Sequence, residues 1–263
     1  MSSGLKLMVF TDLDGTLIDH ESYQWAEAMP ALTALNAVGA GIVLASSKTG
    51  FEIESYRADL ALSKWPAIVE NGAGVLAAFE APSQDSSEYI TLRMALNNIP
   101  AGLRRSFVGF GDWSASEVAR QAGLSLIQAS LAKKRAFSEP GLWRGTTSGL
   151  ATFKAQLNEQ GIDCREGGRY LTLSFGGNKS NQMAAINTQF QPQHTVALGD
   201  APNDIEMLEA ADFGVIVHNP HREPLPILNG EAAGHIVRTK QTGPLGWNAA
   251  ILDLLRKLEL KRG

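Results

Sequence analysis

The sequence predicts an α/β fold: a doubly wound, Rossmann-like parallel-sheet core with an inserted α+β domain. Three short apolar runs, Leu7–Phe10, Gly41–Ala45 and Ala67–Val69, alternate with segments of helical periodicity. This alternation is typical of buried parallel strands joined by helices. A section with a different pattern then separates these runs from two more, Thr195–Leu198 and Phe213–Val217. One layered core with an insertion accounts for both observations.

The helices between the runs are predicted from apolar spacing and end signals. The first covers residues 26–38 and ends at Gly39, a typical residue beyond a helix C-terminus. Thr49 and Glu52 have the spacing of a capping box, and apolar residues at helical intervals follow them. Further helices are predicted over residues 180–190, 203–208 and 247–258.

The middle of the chain indicates a separate small domain. Residues 81–87 are polar and turn-rich, which predicts a linker, and short alternating segments such as Tyr89–Arg93 follow. Ser114 and Glu117 form a second candidate capping box. We therefore predict a core formed by residues 1–83 and 176–263, and an inserted α+β domain over residues 84–175.

Composition excludes several classes of protein. The 263 residues carry a net charge of −4, so no global field favours nucleic acid or an anionic membrane. The single cysteine, Cys164, cannot form an intrachain disulfide, which fits a reducing compartment. No leader peptide and no apolar run of about 18 residues is visible. We expect a cytoplasmic protein that binds neither nucleic acid nor membrane, and the sequence predicts no oligomeric state.

Two carboxylates follow the first predicted strand directly. Asp12 and Asp14 stand two residues apart and would repel one another without a cation. Mg²⁺ prefers such oxygen ligands together with phosphate and water. One carboxylate can attack phosphorus while the other serves as general acid and base. Taken alone, the pair is equally typical of turns and caps.

Polar residues at the ends of other predicted elements extend the pattern. Ser46 follows the second strand and can hold a phosphate oxygen, although most serines at such positions cap helices. Lys179 opens a helix, where the helix dipole disfavours a cation. Asp200 follows a later strand and is positioned to complete a metal site. Asn203 and Asp204 are predicted to hydrogen-bond to its ligands or to Lys179.

The joint arrangement resembles the four motifs of the haloacid dehalogenase superfamily. The matching residues are Asp12-x-Asp14-Gly-Thr, Ser46, Lys179 and Gly199-Asp200-x-x-Asn203-Asp204. The resemblance implies a phosphatase with Asp12 as nucleophile and Asp14 as acid and base, and with Ser46 and Lys179 orienting the phosphoryl group. It implies Mg²⁺ held by the Asp12 side chain, the Asp14 backbone carbonyl and Asp200. It also implies that the inserted domain is a cap.

Further segments resemble the mannosyl-3-phosphoglycerate phosphatases. They are Ser46-Ser-Lys-Thr49, Glu70-Asn-Gly-Ala73, Ala132-Lys-Lys-Arg135, Ser138-Glu-Pro140, Gly168-Arg-Tyr170 and Gly243-Pro-Leu-Gly-Trp247. One departure is Asn178, where that family often carries an acid. The resemblance implies a phosphoric monoester hydrolase that converts 2-O-mannosyl-3-phosphoglycerate into phosphate and mannosylglycerate, a compatible solute.

The charges of the inserted domain suit such a phosphorylated glycosyl glycerate. The phosphate and carboxylate of this compound carry about three negative charges near neutral pH. Arginine binds carboxylates through paired hydrogen bonds, and glutamates can accept hydrogen bonds from sugar hydroxyls. The expected substrate-binding residues are Ser47, Lys48, Glu70, Asn71, Arg135, Glu139 and Arg169. The arginines and glutamates among them are also compatible with ordinary ion pairs.

The same residues are also compatible with other functions. Glucosyl-3-phosphoglycerate or a general sugar phosphate is an alternative substrate, because epimers differ only in the direction of one hydroxyl. An alcohol in place of water would make the protein a phosphotransferase. A non-catalytic sugar-phosphate sensor is expected to lack Asp12 or Asp14, and both are present.

Overall fold

The structure, a computed structural model, describes residues 4–83, 87–167 and 169–259. Part of the predicted linker, residues 84–86, and Gly168 of one resembling segment lie outside the described residues. None of the described helices is long and apolar enough to cross a membrane.

The strands of the described chain follow in order. They are β1 (Leu7–Thr11), β2 (Gly41–Ala45), β3 (Ala67–Val69), β4 (Gly74–Leu76), β5 (Phe107–Gly109), β6 (Ser138–Trp143), β7 (Asp163–Gly167), β8 (Tyr170–Ser174), β9 (His194–Gly199), β10 (Phe213–His218) and β11 (Ile236–Thr242).

The helices are interleaved with these strands. They are α1 (Met29–Ala37), α2 (Gly50–Asp59), α3 (Ser87–Asn97), α4 (Ala101–Arg104), α5 (Ala115–Ala122), α6 (Leu126–Ala132), α7 (Thr147–Asn158), α8 (Lys179–Phe190), α9 (Ile205–Ala210) and α10 (Gly243–Lys257). Short 3-10 turns cover Ala26–Ala28, Glu70–Gly72 and Pro202–Asp204.

The chain divides into two compact units. Unit 1 comprises the described residues of Met1–Ser46, Lys64–Ile68 and Lys179–Gly263, and unit 2 those of Ser47–Ser63 and Val69–Asn178. Residues 47–63 and 69–83, which the sequence pattern assigns to the core, therefore group with the inserted section. The assignment of a catalytic core and a cap to particular residues stays a prediction.

Unit 1 is built on a parallel sheet in which β1 lies between β2 and β9. Thr11 lies opposite Leu44 of β2 and opposite Leu198 of β9. On one side β9 is followed by β10 and β11, and on the other β2 is followed by β3. The strand order thus reverses at β1, and such reversals leave a crevice outside the carboxyl ends of the strands.

The apolar runs of the sequence form the centre of this sheet. Every residue of β1 and β2 is buried, because helices and loops of unit 1 cover both faces. Helix α10 also fixes the end of β1 through Trp247, a fully buried side chain. Its Nε1 donates to Oγ1 of Thr11 at 3.0 Å, and that hydroxyl donates to the carbonyl of Asp12 at 2.8 Å.

Unit 2 contains an antiparallel sheet of order β5-β6-β8-β7. One core cluster lies around Phe107 and Phe153, whose ring centroids are 5.5 Å apart. A smaller cluster around Phe110 and Trp113 packs residues of α5 and α6. The predicted fold class, a Rossmann-like parallel sheet with a separate α+β insertion, is confirmed.

The alternating segment Tyr89–Arg93 lies within α3 and does not form a strand. Leu92 and Leu96 of this helix are fully buried and stand four residues apart, which is the helical period. Five residues of alternating polarity are too few to distinguish the two periods.

Candidate active site

The loop after β1 is shaped by its own backbone. Gly15 donates from N to the carbonyl of Ile18 at 2.9 Å, and Ile18 donates back to the carbonyl of Leu13 at 2.9 Å. Gly15 has a φ of +81°, and a Cβ at this position would overlap Nδ2 of Asn219. Only glycine therefore fits here without displacing Asn219.

Asp12 is held by a buried lysine from the start of α8. Nζ of Lys179 lies 2.6 Å from Oδ1 of Asp12 and 2.7 Å from Oδ1 of Asp204. The Lys179 side chain is 1% exposed. The unfavourable position of this lysine at a helix N-terminus is thus offset by two carboxylates in low-dielectric surroundings.

Asp204 connects this ion pair to the chain around Asp200. Its Oδ2 accepts from the backbone amides of Asp200 at 3.1 Å and Ala201 at 3.0 Å. Both Asp204 oxygens are therefore engaged, one by a cation and one by two amides. The residue fixes the turn after β9 and at the same time orients Lys179.

Three groups hold the carboxylate of Asp200. Thr16 donates from Oγ1 to Oδ1 at 3.1 Å, and Asn219 donates from Nδ2 to Oδ2 at 2.7 Å. Nε of Arg222 lies 3.3 Å from the same Oδ2. Asp200 therefore has a fixed orientation at the carboxyl end of β9.

Burial dominates the electrostatics of this cluster. It raises the pKa of Asp12 well above its ordinary value, with the charge of Lys179 opposing the shift. Burial also raises the pKa of Asp200, and the Asp204 charge adds to that effect. Burial alone would lower the pKa of Lys179, but Asp12 and Asp204 together raise it. Burial thus favours the protonated forms of Asp12 and Asp200, and a nearby cation favours their ionised forms.

The donor set fits a divalent cation. Asp12, Asp200 and Asp204 are buried, and one oxygen from each lies within 4.8 Å of the others. Hard carboxylate oxygens are the ligands that Mg²⁺ prefers, and a divalent charge would favour their ionised forms. Asp204 is engaged by Lys179 and by two backbone amides, and the assignment of Asp12 and Asp200 as the ligands stays a prediction. A contribution from the Asp14 carbonyl stays a prediction.

The family of the chain follows from comparison with known proteins. Residues 9–94 and 153–229, more than half of the chain, match the family described as haloacid dehalogenase-like hydrolase. The chain is a haloacid dehalogenase-like hydrolase. The superfamily predicted from the motifs is confirmed, and the narrower resemblance stays a prediction.

Solved structures with similar folds cover nearly the whole hydrolase. The phosphatase BT1666 from Bacteroides thetaiotaomicron is 16% identical with a TM-score of 0.61, over 99% of this chain and 97% of that one. The sucrose-phosphatase from Synechocystis, solved with sucrose and phosphate, is 15% identical with a TM-score of 0.60, over 97% and 98%. The subclass IIB sugar phosphatase BT4131 is 16% identical with a TM-score of 0.60, over 97% and 100%. At these identities the similarity shows the fold.

Three further predicted site residues of the hydrolase follow strands of the same sheet. Ser46 follows β2, is 1% exposed, and donates from N to the carbonyl of Ile68 at 3.0 Å. Asp14 is half-buried and forms an isolated β-bridge with Ile18. Asn203 lies exposed in the turn before α9. The catalytic roles of Ser46 and Asp14, and the supporting role of Asn203, stay predictions.

Two predicted substrate-binding residues of unit 2 make internal contacts instead of pointing into open space. Glu70 is 1% exposed and accepts from the amides of Ala136 and Ser138, each at 2.8 Å. Nε of Arg135 lies 3.2 Å from the same carboxylate, and its NH2 donates to Oγ of Ser138 at 2.7 Å. Glu70 and Arg135 therefore fix the segment that leads into β6.

The backbone at Glu70 and Asn71 is strained. Both residues have a positive φ, 52° and 61°, which costs free energy for any residue other than glycine. The hydrogen bonds of the Glu70 side chain hold this conformation in place. Asn71 is half-buried.

The remaining predicted substrate-binding residues differ in burial. Glu139 is fully buried and accepts from the Tyr89 hydroxyl at 2.5 Å and from NH1 of Arg93 at 2.7 Å. Ser47 and Arg169 are exposed, and Lys48 is half-buried. Solvent therefore reaches Ser47, Lys48 and Arg169, whereas Glu139 is shielded from it.

The sequence does not predict Asn219 and Arg222 as site residues, and it predicts Thr16 only as part of the motif after β1. The sequence does carry a signal for Asn219, because it is the first residue after β10, a strand adjacent to β9. The rule that polar residues at strand ends share one edge of the sheet would have identified it. Arg222 carries no such signal, since it lies in a loop.

Proposed function

We propose that this hydrolase is a Mg²⁺-dependent phosphatase that cleaves 2-O-mannosyl-3-phosphoglycerate into mannosylglycerate and inorganic phosphate. One observation supports the phosphatase activity most directly. Lys179 forms an ion pair with Asp12 within a buried acidic cluster that includes Asp200. This arrangement provides a carboxylate nucleophile, a fixed cation and a site for a divalent ion within one crevice.

The substrate class is supported by two separate observations. The segments of the chain that resemble mannosyl-3-phosphoglycerate phosphatases occur in both units. Solved structures with the same fold include a sucrose-phosphatase and a sugar phosphatase, by the descriptions given for those proteins. Both observations favour a phosphorylated sugar over other phosphate esters.

The first step forms an aspartyl phosphate. An oxygen of Asp12 attacks phosphorus in line, and the bond between phosphorus and the ester oxygen breaks. Asp14 gives its proton to that leaving oxygen. Lys179 orients Asp12 through Oδ1 and offsets negative charge on the phosphoryl oxygens. The hydroxyl of Ser46 donates to one of those oxygens.

The second step regenerates the enzyme. Asp14, now a carboxylate, takes a proton from the water that attacks phosphorus, and the bond to Asp12 breaks to release phosphate. Asp12 and Asp200 would hold Mg²⁺, which when bound supplies electrophilic stabilisation of the phosphoryl oxygens. Ser47, Lys48, Asn71 and Arg169 are the predicted substrate-binding residues that are exposed or half-buried.

Phosphate release over a substrate panel tests the proposal. The panel contains the mannosyl and glucosyl esters of 3-phosphoglycerate, sucrose phosphate and simple hexose phosphates, each with Mg²⁺ and with a chelator. We expect the highest kcat/KM for the mannosyl ester and loss of activity with the chelator. A higher value for the glucosyl ester, or similar values throughout, would favour the alternatives of a glucosyl-ester or general sugar-phosphate phosphatase.

Asp12→Asn separates the nucleophile from other roles of the site. We expect this variant to fold, to release no phosphate, and to carry no base-labile phosphate after acid quenching with labelled substrate. Asp253→Asn, at a half-buried position in α10, is the matched control and should behave as wild type. Normal turnover by Asp12→Asn would exclude the proposed mechanism.

A further inference from the structure

Arg222 adjoins the acidic cluster although it lies outside the four motif segments. Its Nε is 3.3 Å from Oδ2 of Asp200. The Asp200 side chain is 1% exposed, whereas the Arg222 side chain is 38% exposed. A partly solvated cation therefore touches a buried carboxylate that the proposed function assigns to Mg²⁺.

The orientation of Asp200 does not depend on this arginine. Thr16 holds Oδ1 and Asn219 holds Oδ2 through hydrogen bonds of 3.1 Å and 2.7 Å. Asn219 also ties down the loop that carries Arg222, since its Oδ1 accepts from the amide of His221 at 2.9 Å. Neutral donors thus fix the carboxylate, and what Arg222 adds is positive charge.

The charge of the ligands and their neighbours is one determinant of the affinity of such a site for a divalent ion. Three aspartates face one buried lysine, and Arg222 offsets a further unit of their negative charge. We propose that Arg222 acts through Asp200: the Arg222 guanidinium competes with a divalent cation for Oδ2 of Asp200 and so weakens metal binding. The inference rests on the proposed function, because it takes Asp200 as a metal ligand.

The expected effect is moderate and depends on salt. Because Arg222 is partly in solvent, ions screen its charge, and the contribution of a partly exposed pair is small. Removal of the charge should tighten Mg²⁺ binding by about 1.5–5-fold at low ionic strength. The difference should shrink at an ionic strength of about 0.15 M.

Calorimetric titration of the full chain with Mg²⁺, without substrate, tests the inference. Arg222→Gln and Arg222→Met should both bind Mg²⁺ more tightly than wild type at low salt, while Arg222→Lys should stay close to wild type. Asn219→Ala should bind more weakly, because it removes the hydrogen bond that orients Asp200. The Arg222 side chain is 38% exposed, and a thermal unfolding scan checks that these variants fold.

The outcomes separate this inference from the proposed function. Equal or weaker binding by Arg222→Gln, in a protein whose wild type releases phosphate with Mg²⁺, overturns the role of Arg222 alone. A tightening by Arg222→Lys as large as that of Arg222→Gln also overturns it, because the charge would not be the cause. If wild type neither binds Mg²⁺ nor releases phosphate with it, both proposals fail together.

Discussion

Lys179 donates a hydrogen bond from Nζ to Oδ1 of Asp12 at 2.6 Å, across 167 positions of the sequence. The same ammonium group reaches Asp204 at 2.7 Å. One buried cation therefore joins the end of β1, the start of α8 and the turn before α9. Because a buried charge without partners is costly, the stability of unit 1 and the chemistry of its site depend on the same contact.

Lys179→Met should damage both stability and activity. The substitution leaves Asp12 and Asp204 buried without their cation, which should cost about 3 kcal/mol of unfolding free energy and abolish phosphate release. Urea unfolding and a phosphate assay measure the two effects. Lys257→Met, which removes an exposed lysine of α10, is the control and should cost less than about 1 kcal/mol. Equal stability of the two variants would contradict the assigned burial.

Gly15→Ala tests the close approach of the loop after β1 to Asn219. Gly15 and Gly39 both have a positive φ, 81° and 72°, so alanine strains the backbone at either site. A Cβ at Gly39 meets no atom within 4 Å, whereas at Gly15 it overlaps Nδ2 of Asn219. We expect Gly39→Ala to cost about 1 kcal/mol and to keep activity. Gly15→Ala should lose both activity and Mg²⁺ affinity, and equal behaviour of the two would refute the contact.

Glu70→Gln tests whether the Glu70 carboxylate holds the segment of unit 2 that leads into β6. Glutamine carries an amide nitrogen in place of one carboxylate oxygen. That nitrogen would face, donor to donor, the backbone amide of Ala136 if it replaces Oε1 or that of Ser138 if it replaces Oε2. An unmade buried hydrogen bond costs about 1–3 kcal/mol, so hydrogen exchange should accelerate at one of these amides or at both. Glu159→Gln, at an exposed residue after α7, should leave them protected. Protection that is unchanged in Glu70→Gln would show that the carboxylate does not hold the segment.

Acid should remove a stabilising contribution from Asp112. Burial alone would raise its pKa, but hydrogen bonds from Arg104 and Arg93 lower the pKa to about 2. Since this lies below the ordinary value of 3.8, the ionised group stabilises unit 2 above about pH 4 and loses that effect as the pH falls towards about 2. Asp112→Asn should therefore cost about 1 kcal/mol near neutral pH, with allowance for solvent screening.

The measurement for Asp112 is urea unfolding of both proteins at several pH values. The difference in unfolding free energy between wild type and Asp112→Asn should narrow as the pH falls below about 4. A difference that stays constant down to about pH 3 would mean that the lost interaction is not the ionised carboxylate.

Local signals in the sequence predict much of the fold. The capping boxes at Thr49 and Ser114 are present, because their partners lie three residues away in the chain. Strands β7 and β11 were not predicted. Both are the outermost strands of the sheet order in their unit and carry many exposed residues, so no apolar pattern marks them.

The sequence by itself determined that acids and a lysine stand at strand ends and helix starts, and hence which residues can form a phosphoryl site. Only the tertiary structure decided that Asp204 binds Lys179 together with two amides, and that Asn219 and Arg222 hold Asp200. Only the tertiary structure likewise decided that the buried carboxylate of Glu70 accepts a hydrogen bond from Ser138 and forms an ion pair with Arg135. The physical reason is that a hydrogen-bond partner is chosen by distance in space, and side chains far apart in the chain become neighbours only when the core has packed.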